Sequence, residues 1–245
     1  MRSAHRGPWG TERAAGWGGP VVTRAGGCCD GCVTLLLERS ARLLIGVVLY
    51  GVSLALMIRA DIGVGPWDVL SQGLALRTGL TFGTVTFLTS LVVLLLWIPL
   101  KQRPGVGTVV NALLMGPVVD VALAVVPVQE QWWSQGLVFA GGLLLLAVAS
   151  GLYLGAGLGP GPRDGLMTGL HQRFGWRIGR VRTGIELSVL LAGWLLGGQV
   201  GIGTAAEAFL IGPLVAVTIP LLRMRRAAPL RQVSPDAERG SAPAS

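Results

Sequence analysis

Two stretches of this chain are copies of one another, and that limits the folds open to it. Gly63–Val119 aligns with Gly159–Val215 at an offset of 96 residues without a gap, and 24 of the 57 positions are identical. The matches fall on residues that set backbone shape. Gly63, Gly65, Pro66 and Asp68 pair with Gly159, Gly161, Pro162 and Asp164; Gly105, Gly107 and Thr108 pair with Gly201, Gly203 and Thr204; Gly116-Pro117 pairs with Gly212-Pro213. Chance likeness between apolar segments would not keep this punctuation, so the two halves should share a backbone.

Each copy lies among long apolar runs. Half the residues (51%) are hydrophobic and only 13% are charged, about half the roughly 25% usual in a soluble domain. Six charge-poor runs are near the length needed to cross a bilayer core, roughly 20 residues. They are Leu43–Ile58, Phe82–Leu100, Val106–Val126, Gly136–Leu158, Thr183–Val200 and Ile202–Leu222. The chain therefore reads as an all-α integral membrane protein of about six transmembrane helices, two three-helix repeats. Residues 41–126 form the first repeat and 136–222 the second. A loop at 127–135 joins them, and basic tails at 1–40 and 223–245 flank them.

Three spans per copy would make the second copy start from the opposite face, which predicts inverted repeats. Loop charge supports this through the positive-inside rule. Lys101, Arg103, Arg163, Arg173, Arg177, Arg180, Arg182 and the C-terminal arginines fall on one side, with both termini cytoplasmic, while the 127–135 loop carries no Lys or Arg. Arg59 and Arg77 are exceptions on the outer side. The net charge of +8 is then topology and attraction to anionic lipid, not nucleic-acid binding. The N-terminal tail lacks the layout of a cleaved signal peptide, so the first helix should stay as an anchor.

The Gly-x-Gly-Pro-x-Asp turns carry the strongest functional signal. Proline suits the first position of a helix, which puts Asp68 and Asp164 in first turns, where the helix dipole favours a carboxylate. The stretches after them, 66–76 and 162–174, are short for a span. They read as half-helices entering the membrane from opposite faces, the pattern that marks a transporter's central site. Two alternatives stand beside this: the stretches lie flat at the interface with the aspartates as caps, or they span fully and the repeats are parallel.

Ionisable groups at membrane depth face a cavity or a partner. Glu207 and Asn111 occupy equivalent repeat positions inside apolar runs, and Glu207 is the first candidate for a proton- or cation-binding carboxylate. The candidate substrate or ion pathway comprises Asp68, Asp164, Asn111, Glu207, Gly65, Pro66, Gly161, Pro162, Thr108 and Thr204. Glu186 should pair locally with Arg182, four residues earlier, and Asp120 should be solvated near the outer boundary. Cys28, Cys29 and Cys32 are the only cysteines; with no second pair or matched histidine, no metal or cofactor is expected.

The turn, short helix, long helix and second turn resemble the repeated element of the YitT/YczE group of bacterial membrane proteins. The match is carried by Gly63, Gly65, Pro66, Trp67, Asp68, Gly73, Gly83, Gly107 and Thr108, and again by Gly161, Pro162, Asp164, Gly203 and Thr204. Arg163 stands where the first copy has Trp67. The resemblance implies a multipass plasma-membrane protein and carries no substrate with it. The expected function is a small secondary transporter or permease for a small molecule or ion, in a form that allows a homo-oligomer. The alternative is a non-transporting accessory protein that docks a partner through its arginines. No nucleophile–base pair or phosphate loop points to an enzyme.

Overall fold

The computed structural model describes residues 30–222. Eight helices occur among them and no strand: α1 (Asp30–Ala60), α2 (Pro66–Thr78), α3 (Phe82–Trp97), α4 (Val106–Val125), α5 (Trp132–Gly155), α6 (Pro162–Phe174), α7 (Ile178–Leu195) and α8 (Ile202–Leu222). Most of the two tails, with Cys28, Cys29 and the C-terminal arginines, lies outside the described residues. α1 begins ahead of its apolar run, within the stretch read as tail. An Arg42–Glu38 pair at 2.8 Å, one turn apart, supports it there.

Four helices among the described residues are long and apolar enough to cross a membrane: Leu36–Ala60 of α1, then α4, α5 and α8. α2 and α3 form a pair bent by 116° at the break between them, and count as a fifth crossing if taken together. The other two runs of the sequence reading correspond to α3 and α7, of 16 and 18 residues. At 1.5 Å per residue they reach about 24 and about 27 Å, slightly less than a core of about 30 Å.

The repeat is visible in the contacts. α1 and α5, corresponding helices of the two copies, pack antiparallel: Gly46 abuts Tyr153 near one end, and Gly142 abuts Ser53 and Met57 near the other. Each copy then docks its turns on the other copy. The Gly107 amide donates to the Leu158 carbonyl at 2.9 Å, and the Gly203 amide donates to the Ile62 carbonyl at 2.8 Å. These are the same two positions of the repeat, exchanged. Gly63 and Gly159 make the turns with φ of 112° and 130°, a region that disfavours any side chain.

The short helices cross over in the same way. α2 lies on α7, where Gly193 meets the backbone of Val69 and Leu70; α6 lies on α3, where Gly165 faces the Trp97 ring. The Trp97 indole donates to the Pro162 carbonyl at 3.1 Å.

One relation is not repeated. α3 packs closely on α4, with Gly83 and Gly116 in mutual backbone contact. At the equivalent Gly179 of α7 and Gly212 of α8, no described atom outside the glycine's own helix lies within 4 Å of where a Cβ would stand. α7 and α8 stand apart where α3 and α4 are closed.

Candidate functional site

α2 and α6 begin alike. Gly65 and Gly161 are extended N-caps at φ, ψ of −61°, 158° and −63°, 161°, each followed by proline in the first turn. Their first turns meet. Arg163 of α6 reaches Asp68 of α2, with Nη1 and Nη2 both 3.2 Å from Oδ1. The guanidinium also lies 5.3 Å from the centre of the Trp67 ring. Trp67 and Arg163 hold the same repeat position, so the pseudo-equivalent residues stack on each other. Asp68 is 3% exposed, and the Arg163 side chain 23%.

Two cavities sharing a wall surround this ion pair, one of about 210 Å³ and one of about 110 Å³. Tyr50, Ser150, Arg163, Asp164, Arg182 and Ile211 line both. The larger is also bounded by Thr86 of α3, Asn111 of α4 and Tyr153 of α5, with Arg182 of α7 and Ile211, Gly212 and Val215 of α8 along one side. The smaller adds Gly65, Asp68, Glu186 and Glu207. Glu207 presses its carboxylate against Gly65, where a Cβ would overlap it.

Several buried polar atoms facing these cavities have no hydrogen-bond partner among the described residues. They are Glu207 Oε2, the Tyr153 hydroxyl, Thr86 Oγ1 and the Trp67 indole nitrogen. Leaving such an atom dry and unbonded costs about 1–3 kcal/mol, so four around one chamber are a demand for water or solute.

Of the residues singled out in the sequence, Asp68, Asp164, Asn111, Glu207, Gly65, Pro66, Gly161 and Pro162 line the two cavities. Thr108 and Thr204 do not. Both are buried and accept from the amides of Gly105 and Gly201 at 3.3 Å. Thr108 also donates to the Pro160 carbonyl at 2.6 Å. They hold the reciprocal turns together, away from the chamber. Asp120, expected to be solvated, caps α3: its oxygens accept from the Gly83 amide at 2.7 Å and the Thr81 hydroxyl at 2.6 Å. Glu186 pairs with Arg182 at 2.9 Å, as its spacing predicts.

Sequence reasoning missed Arg163, Tyr50 and Tyr153. Arg163 stands among the loop arginines in the sequence, and its match to Trp67 beside an aspartate is the signal that sets it apart. The chain has only two tyrosines, and both line the chamber. Inside uniformly apolar runs, that rarity was the sole clue.

A model of a family of unknown function, DUF6198, matches residues 37–220. An uncharacterized protein of Haemophilus influenzae is 37% identical over 195 residues, covering 80% of this chain and 89% of the relative. The uncharacterized membrane protein YczE of Bacillus subtilis is 33% identical over 175 residues, covering 71% of this chain and 81% of the relative. A second Bacillus subtilis protein, YyaS, is 27% identical over 182 residues, 73% of this chain and 90% of the relative. No solved structure matches this chain.

Proposed function

We propose, for a chain that belongs to the family of unknown function DUF6198, a small secondary transporter built from two inverted repeats, with its path through the chamber where α2 and α6 meet. The observation that carries this reading is the broken symmetry around that chamber. α3 and α4 are closed through Gly83 and Gly116, while their counterparts α7 and α8 are apart at Gly179 and Gly212. A carrier works by exposing one central site to one face and then the other. Inverted repeats supply the two states by exchanging conformations.

The antiparallel packing of α1 on α5 supports the inverted arrangement, because repeats related by an axis along the membrane normal would run their first helices in the same direction. In this reading α2 and α6 are half-helices that enter from opposite faces, and α1, α3, α4, α5, α7 and α8 are six spans. By loop charge, the closed α3–α4 end faces outward and the open α7–α8 end faces the cytoplasm. The other end state parts α3 from α4 and brings Gly179 onto Gly212. Polar groups at depth, led by Glu207, Asp68 and Asn111, then serve the solute and not packing alone.

The test is access to the chamber. Ile211→Cys, in a chain whose Cys28, Cys29 and Cys32 are replaced by serine, is treated with a membrane-impermeant thiol reagent. Labelling is expected in inverted vesicles, and at a slower rate in intact cells. A thiol reached from neither face removes the path.

A further inference from the structure

Charge balance in the chamber points to a class of solute. The two cavities are lined by four carboxylates, Asp68, Asp164, Glu186 and Glu207, and two guanidiniums, Arg163 and Arg182. Asp68 is taken up by Arg163 at 3.2 Å and Glu186 by Arg182 at 2.9 Å. Asp164 and Glu207 have no ion-pair partner among the described residues. The N-terminal ends of α2 and α6 each supply about half a positive charge. Set against two carboxylates, they leave a surplus of about one negative charge when both carboxylates are ionised.

The carboxylates do not stand alone. Glu207 is 9% exposed, Tyr153 3% and Thr86 1%, and each has a buried oxygen with no hydrogen-bond partner among the described residues. Tyr153 and Thr86 line the larger cavity and Glu207 the smaller. All three oxygens can accept a hydrogen bond, as an ammonium or hydroxyl donor requires. Asp164 faces open space in the chamber, whereas its repeat equivalent Asp68 is buried.

Among the described residues no three histidine, cysteine or acidic side chains come together as metal ligands. The remaining walls, Tyr50, Leu54, Met115 and Val215 among them, suit methyl and methylene groups. A volume of about 210 Å³ is the share of about seven water molecules at roughly 30 Å³ each, so it fits a solute of about seven heavy atoms. From these features, and on the carrier reading above, we infer that the chamber binds a small organic monocation of the alkylammonium class, with Glu207 and Asp164 as its counter-charges.

The test uses the purified full-length chain and a matched pair of probes, choline and its uncharged isostere 3,3-dimethylbutan-1-ol. Choline is expected to raise the melting temperature in a saturable way and to bind at least tenfold more tightly than the isostere. Glu207→Gln should reduce that preference tenfold or more, and Asp164→Asn offers the same comparison if the first variant does not fold. Equal binding of the two probes overturns the inference, as does the absence of any shift with choline, tetramethylammonium and ethanolammonium. Uptake of radiolabelled choline into proteoliposomes separates this inference from the carrier reading. Binding without uptake upholds the cation class and removes the carrier. Uptake of neutral or anionic solutes with no preference for cations upholds the carrier and overturns the class.

Discussion

Arg163 replaces Trp67 at one repeat position and turns a duplicated element into a complementary one: the aromatic ring of one copy accepts the guanidinium of the other while Asp68 accepts its charge. Removing one member of a buried ion pair costs about 3–5 kcal/mol, because the other charge is left behind. Arg163 retains some access to the chamber, so the lower end of that range applies. Asp68→Asn is therefore expected to lower the melting temperature of the purified protein by several degrees, and Asp68→Asn combined with Arg163→Gln to recover more than half of the loss. A double variant no more stable than the single would mean that the two residues act independently. Gly65→Ala should drive the Glu207 carboxylate from its place; its signature is loss of solute binding in a chain that still folds. At this scale the carboxylates were legible, since an ionisable group in an apolar run stands out by its cost. Arg163 was not, because sequence placed it next to loop arginines and only the fold carries it inward.

Elements were legible where punctuation marks them. Gly-Pro, Gly-x-Gly-Thr and the repeat offset gave the starts of α2, α4, α6 and α8, because proline and glycine act on the backbone directly. The gap between α7 and α8 was invisible, since Gly179 and Gly212 match Gly83 and Gly116 residue for residue and one pattern is found in two packings. That difference sets a comparison of equivalent glycines. Gly83→Ala pushes a methyl into the Gly116 carbonyl and the Asp120 carboxylate, and overpacking of this kind costs about 1–3 kcal/mol. Gly179→Ala meets open space and should leave the melting temperature within about 1 °C of the parent, from an effect of a few tenths of a kcal/mol. In the carrier reading it nevertheless slows passage, because the alternate state needs that contact. A Gly179→Ala variant as unstable as Gly83→Ala would show that the α7–α8 gap is closed in the resting protein.

For the whole molecule, the sequence carried the repeat, and it left open the depth of the short helices. Depth depends on what surrounds them, and α2 and α6 find their partners in the opposite copy, about a hundred residues away along the chain. Leu76 and Gln172 are equivalent exposed positions near the ends of these two helices. In the cysteine-free chain, Leu76→Cys should be labelled from outside intact cells and Gln172→Cys only from the cytoplasmic face; labelling of both from one face would favour parallel repeats. A cross-link tests whether the chamber changes faces when the two copies exchange packing. Gly179→Cys with Ala216→Cys reproduces on α7 and α8 the Gly83–Asp120 contact that closes α3 on α4. With Ile211→Cys as reporter, labelling is expected mainly from the cytoplasmic face before oxidation and from the outer face after it, reversed by reductant. Labelling from the same face in both states, or a disulfide that leaves access unchanged, would contradict that change of faces.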